Sequence, residues 1–298
     1  MNRPFVRILV WLGIMTALTL AAMGLWFAFD GDTGSTASLK WLQFVQTCGT
    51  FLLPPIVVGW LWSENKNPLS WLKLDIGFSW QTACLAVLTM VCSVPAINLL
   101  AELNGQIHLP KSLESVEQIL RAQEDAAAAL TERFLKADNI GGLLINIGLL
   151  ALLPAMAEEL SFRGTLQQIL FGQKSKVERQ KHTAIWVTAF VFSAIHMQFY
   201  GFVPRMLMGA MFGYVFVWTG SLWVPVLMHF TNNAVAVVSY YVMANSEAGE
   251  EANLLDKSWA DTIGTGNMWW LGVLSLIAVI LLLYLLKKQT KQYEGNIN

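Results

Sequence analysis

The chain is 298 residues long, with 55% hydrophobic and only 13% charged side chains, against about 25% charged in ordinary soluble domains. So apolar a chain would aggregate in water, which excludes a soluble globular fold, and a net charge of −1 excludes a nucleic-acid binder with its solvated face of Lys and Arg. Cys48, Cys84 and Cys92 lie in apolar segments without metal-type spacing and read as buried small hydrophobes.

A membrane-spanning helix needs about 20 largely apolar residues. Eight stretches qualify, roughly 5–29, 41–62, 80–101, 140–171, 183–200, 203–219, 222–243 and 268–286. The expected fold is therefore all-α, a polytopic membrane bundle, with 1–298 forming a single integral membrane domain. Arg3 and Arg7 ahead of the run Ile8 to Phe29 resemble a secretory signal. That run is too long for one, and no small-x-small cleavage site precedes Asp30, so it reads as a retained span. Between the third and fourth spans, 110–138 places Leu113, Val116, Leu120, Ala127, Leu130 and Phe134 at helical spacing among many charges. This predicts an amphipathic helix on the extracytoplasmic surface or packed on the bundle. The fourth span ends in Ser161, Arg163, Thr165, Gln167 and Gln168, too polar for lipid and suited to a protein-enclosed cavity.

Orientation follows the positive charges. With eight spans, Arg3 and Arg7, Lys66 and Lys73, Lys174, Lys176, Arg179 and Lys181, and Lys287, Lys288 and Lys291 fall on one side. Asp30, Asp32 and the acidic 246–261 loop fall on the other. Both termini are expected in the cytoplasm, and the compact loops suit a bacterial inner membrane. The implied partners are the lipid bilayer and a membrane-associated protein or peptide.

An ionisable side chain inside a span costs at least ~2.5 kcal/mol and asks for a reason. Three places ask: Glu158, Glu159, Ser161 and Arg163 in the fourth span, Ser193 and His196 in the fifth, and His229, Asn232 and Asn233 in the seventh. Glu159 and Arg163 are four apart and can pair on one helical face, while Glu158 points about 100° away without an obvious structural partner. If the fourth and fifth helices run unbroken to the basic loop at 172–182, Glu158 and His196 lie at one depth, ~20 Å from it. His229 reaches the same neighbourhood if Ser221 to Pro225 enters below the surface. His108 and His182 fall in loops and have no assigned role.

Amide hydrolysis needs an activated water, donors for the oxyanion and a proton for the leaving amine. Glu158 with His196 can hold and deprotonate a water; His229 and Asn233 can donate to the oxyanion. A serine route is less suited, since Ser193 lies three residues from His196 but in no Gly-x-Ser-x-Gly-type elbow. Structural readings stand beside these: a Glu159–Arg163 packing clamp, Asn232 and Asn233 as interhelical glue, and Pro154 and Pro225 as simple kinks. Other functional classes are an ion-coupled carrier, since relays use the same residue types, and a catalytically silent immunity or scaffold protein. Against a carrier, no inverted repeat is visible and the polar set is confined to spans four, five and seven.

The three elements EExxxR (Glu158, Glu159, Arg163), FxxxH (Phe192, His196) and HxxxN (His229, Asn233) resemble, in order and on separate spans, the motifs of the CPBP family. That family comprises CAAX prenyl endopeptidases and bacteriocin-processing or immunity (Abi) proteins. The motif-bearing core is 140–243; the remainder matches only in being helical and membrane-bound. The resemblance implies an eight-span intramembrane endopeptidase whose active site lies between spans four, five and seven. Residues matching Glu158 and His196 activate water there, matches to His229 and Asn233 stabilise the oxyanion, and matches to Glu159 and Arg163 support them. It does not identify a substrate or whether that substrate is lipidated. Resembling proteins often carry a metalloprotease label, and Glu158, His196 and His229 would be the ligands if zinc binds. No HExxH spacing pre-orients two ligands on one helix, and Asn233 suits a hydrogen-bond donor, so a metal-free mechanism is favoured.

Overall fold

The computed structural model describes residues 4–29, 31–32, 34–171, 178–245 and 262–297. The expected acidic 246–261 loop, Arg3, Asp30, Lys174 and Lys176 lie outside these. Among the described residues the chain is helical without strands. Its main helices are α1 (Pro4–Phe29), α2 (Thr36–Trp62), α3 (Trp80–Gly105), α4 (Glu114–Leu135), α5 (Ile140–Phe171), α6 (Glu178–Ala194), α7 (Phe202–Thr219), α8 (Trp223–Ala244) and α9 (Trp269–Ile297).

Among the described residues six helices are long and apolar enough to cross a membrane: α1, α2, α3, α5, α7 and the last, over Gly266–Lys291. Only 11% of the most apolar window of α1 is buried within the protein, leaving Phe5, Leu9, Leu20 and Phe27 exposed. Such a surface needs lipid around it, and the chain is integral to a membrane. α6 and α8, which carry or lead to the candidate histidines, fall outside that set of six. α6 has only 17 residues, and α8 is diluted by His229, Thr231, Asn232 and Asn233. The eight apolar stretches thus separate into six helices of spanning length and hydropathy and two shorter or more polar ones packed among them.

Among the described residues three π-helical turns interrupt the long helices, at Cys48–Leu52, Ile147–Leu152 and Phe162–Gln167. The first two sit just ahead of Pro54 and Pro154, whose missing N–H leaves an upstream carbonyl unpaired; widening the helix accommodates this. In α3, Pro95 produces a different solution. Ser275 of α9 inserts its hydroxyl into the ladder, accepting from the Ala96 N–H and donating to the Cys92 carbonyl, which docks α9 on α3.

Two cores flank α5. One gathers Trp11, Val58, Leu160, Phe162, Phe192 and Phe216; the other gathers Met90, Phe212, Val215, Met228 and Leu286. The beginning of α8 is sunk against the 73–76 segment: Leu222 N–H donates to Lys73 (3.1 Å), the Ser221 hydroxyl to Ile76 (2.6 Å), and the Trp223 indole to Leu74 (2.8 Å). These bonds fix where α8 begins and so where His229, in its second turn, stands in the bundle. The cysteines correct their expectation. None is buried inside the protein, and Cys84 is exposed on the outer face of α3, where lipid rather than packing would cover it.

Candidate active site

The site forms at the seam between the two cores, where α5, α6, α7 and α8 meet. Glu159 and Arg163, four apart, pair as expected, with Nη1 donating to Oε1 at 2.7 Å and both side chains fully buried. The same Glu159 oxygen accepts from His229 Nδ1 at 2.9 Å. Glu159 therefore bridges two helices, ties the Nδ1 proton of His229, and turns Nε2 toward Glu158, whose Oε2 lies 3.9 Å away. The Glu159–His229 contact was not part of the sequence reading, because helical spacing relates α5 residues to one another and not to α8.

Two aromatic rings enclose this cluster. The Arg163 guanidinium carbon lies 4.7 Å from the Phe192 centroid and 5.3 Å from that of Phe212. The His229 ring stacks on Phe212 at 5.4 Å and meets Phe192 edge-on at 6.0 Å. Such faces favour a cation. Phe192 also holds His196: its carbonyl lies 2.8 Å from His196 Nδ1, and its ring packs on the imidazole at 5.3 Å. With Nδ1–H donating to that carbonyl, Nε2 of His196 keeps its lone pair.

His196 corrects the expected span. α6 ends at Ala194, and His196 stands two residues beyond it, in a turn followed by Met197 at φ 54°. The depth estimate based on an unbroken helix therefore does not apply to it, and the described part of α6 already begins at Glu178, inside the expected 172–182 loop. His182 is not a loop residue either. It lies on α6, with Nδ1 2.7 Å from the Tyr214 hydroxyl.

Asn233 accepts from Asn232 Nδ2 at 3.2 Å, which turns its own amide nitrogen elsewhere; this bond joins neighbours on one helix rather than two helices. Ser193 is buried and donates its hydroxyl to the Phe202 carbonyl at 2.7 Å, so it is committed to the backbone. Among the described residues no group of three or more His, Cys, Asp or Glu side chains comes together to hold a metal. Glu158 and His229 approach each other, but Glu158, His196 and His229 do not form the three-ligand set that zinc would require.

Sequence reading also passed over residues on α7. Arg205 lies close enough for its charge to act on Glu158 and His196, so the polar set extends beyond the three expected spans. Its position beside Pro204 reads as a helix end rather than an intramembrane charge. Gly209 and Gly213 accept from Arg163 Nη2 (2.9 Å) and Gln167 Nε2 (3.1 Å) respectively. Two donors one turn apart on α5 thus match two carbonyls one turn apart on α7. A side chain at Gly209 would press on Phe192 at 3.1 Å and Ala189 at 3.2 Å. The visible signal was the small-xxx-small spacing of Gly209 and Gly213 in an apolar helix, which lets backbones approach closely.

Residues 140–235 match the family model described as type II CAAX prenyl endopeptidase Rce1-like. The uncharacterized protein YpbD of Bacillus subtilis is 32% identical over 94 residues, or 30% of this chain, and the aligned part spans 43% of that relative's length. No solved structure matches the chain. The segment from 140 to 235, which holds Glu158, Glu159, Arg163, His196, His229 and Asn233, is thus similar to the Rce1-like CAAX endopeptidases.

Proposed function

We propose that this chain is an intramembrane endopeptidase that hydrolyses a peptide bond with water activated by Glu158. The observation that carries the reading is the Glu159 carboxylate held between Arg163 and His229 Nδ1, with His229 Nε2 directed at Glu158. An imidazole fixed on one nitrogen by a buried carboxylate presents the other in one orientation, as an acyl-transfer site needs.

In this reading Glu158, assisted by the Nε2 lone pair of His196, takes a proton from water, and the hydroxide attacks the scissile carbonyl carbon. His229 Nε2–H and the Asn233 amide donate to the oxyanion. Glu159 supplies the counter-charge for a doubly protonated His229. As the tetrahedral adduct collapses, Glu158 returns its proton to the leaving nitrogen and the C–N bond breaks. The substrate is a membrane-associated protein or peptide, and the termini with the 63–79 and 172–182 segments face the cytoplasm of a bacterial inner membrane.

The test is incubation of purified protein with a quenched peptide library beside a Glu158→Gln variant. Cleavage by the native chain that the variant lacks is the expected result. A library left intact by both, or cleaved equally by both, would remove the proposal.

A further inference from the structure

We propose that α4, the amphipathic helix outside the bundle, positions His196, with Glu124 as the residue that holds the His196 loop in place. This rests on the role given to His196 under Proposed function and extends it to a part of the chain outside the three motifs.

The loop from Ile195 to Gly201 joins α6 to α7 and carries His196. Apolar packing does not fix it: Ile195, Met197 and Phe199 are 42%, 71% and 36% exposed. Met197 sits at φ 54°, a left-handed conformation that a residue with a Cβ keeps only where its surroundings over-determine it. Here the determination is polar and comes from three helices. Asn104 of α3 donates to the Phe199 carbonyl at 3.0 Å. Arg205 of α7 donates to Gln198 Oε1 at 2.6 Å. From α4, Glu124 Oε1 accepts the Tyr200 backbone N–H at 2.8 Å, and the Arg121 guanidinium lies 4.3 Å over the Tyr200 ring.

Between α3, α4 and this loop is a cavity of about 330 Å³, bordered by Ala101, Gly105, Arg121, Glu124, Tyr200 and Gly201. The loop therefore has room to shift toward α4. Beyond these bonds the shift is opposed by its tie to the end of α6, where the Ile195, His196 and Met197 N–H groups donate to Val191, Ser193 and Ala194 and the Phe192 carbonyl meets His196 Nδ1, so Glu124 secures the far half of the loop. Releasing Tyr200 frees a segment only four residues from His196. A displacement of about 1 Å at a reacting group is enough to cost about a hundredfold in rate. Glu124 touches neither substrate nor reacting atoms in this arrangement; it is a positioning residue.

The experiment compares full-length native protein with Glu124→Ala and Glu124→Gln on one cleaved peptide. Glu124→Ala should lower kcat about tenfold to a hundredfold with KM nearly unchanged. Glu124→Gln keeps an oxygen for the Tyr200 N–H and should restore most of the rate. A second readout needs no cleavage: a cysteine reporter at the exposed loop position, Met197→Cys, should react with a maleimide faster beside Glu124→Ala than beside Glu124 or Glu124→Gln. Native kcat in Glu124→Ala, equal damage in both variants, or equal labelling rates in all three would overturn the inference. The underlying reading fails separately, through an active His196→Ala. An inactive His196→Ala beside a fully active Glu124→Ala would sink only the positioning role.

Discussion

The molecule contains the same three side chains twice, in opposite surroundings. At the start of α4, Glu117 Oε1 accepts from Arg121, four residues on, at 2.8 Å and lies 3.0 Å from His108 Nδ1. In the bundle, Glu159 Oε1 accepts from Arg163, four residues on, at 2.7 Å and from His229 Nδ1 at 2.9 Å. The outer trio is complete, because Glu117 Oε2 also accepts the Leu109 N–H at 2.8 Å. In the inner trio, Glu159 Oε2 and Arg163 Nε are buried without a hydrogen-bond partner among the described residues. Water screens the outer group, making it a modest clasp that shapes the first turn of a surface helix. Burial makes the inner group costly to hold and costlier to break, and polar atoms left unsatisfied in a buried site point to function rather than stability.

The largest contrast between the two should come from removing one partner. Arg163→Ala strands the Glu159 carboxylate and should destabilise the fold by about 3–5 kcal/mol, read as a large fall in melting temperature in detergent; Arg121→Ala should shift it little. Replacing both buried partners, Glu159→Leu with Arg163→Met, should return much of the stability while leaving His229 unanchored and cleavage lost. Equal thermal shifts in Arg163→Ala and Arg121→Ala would erase the distinction drawn from burial.

Asn233→Ala asks whether the far side of the inner trio meets an oxyanion. Loss of one such donor should lower kcat about a hundredfold to a thousandfold with little change in melting temperature, whereas an unchanged kcat would return Asn233 to a packing role. Metal dependence follows next. Extensive chelation should leave cleavage intact, with well under one zinc per chain by elemental analysis; stoichiometric zinc whose removal abolishes and return restores activity would overturn the metal-free step and require Glu158, His196 and His229 to draw closer together as its ligands.

The smallest effect belongs to the outer trio and to pH. The Arg121 hydrogen bond, then the Leu109 N–H and His108, hold the Glu117 carboxyl down at about 2, against an ordinary 4.5. A carboxylate lowered in the folded state stabilises above its ordinary value, and that contribution is lost as pH falls from 4.5 toward 2. Amide exchange in the first turns of α4 should therefore rise across that window in native protein more than in Glu117→Gln. Identical profiles would place the ordering of α4 elsewhere.

Much of this comparison was legible in the sequence, for reasons that differ residue by residue. The apolar period placed a helix within 110–138, and α4 occupies Glu114–Leu135, since alternating charge and hydrophobicity at helical spacing has few other solutions. Glu159 and Arg163 announced their pairing by standing four apart in an apolar run. The end of α6 was hidden, because Ile195, His196 and Met197 bring no Gly or Pro to stop a helix and the loop is shaped by nearby Arg205 together with Asn104 and Glu124 from far along the chain. The π turns were half legible: Pro154 marked a kink, but the widened turn itself depends on how carbonyls are shared around a proline and on packing against neighbours. The bridge from Glu159 to His229 belongs to the packing of α5 against α8 and has no local signature.

The most direct test of the chemistry is a turnover measurement on Glu158→Gln, His196→Ala and the double variant, each confirmed folded by its melting temperature. Each single substitution should remove nearly all cleavage and the double should be no worse than either, because both residues act on one water. Two singles that keep substantial activity, with a double much worse than both, would contradict the shared role of Glu158 and His196.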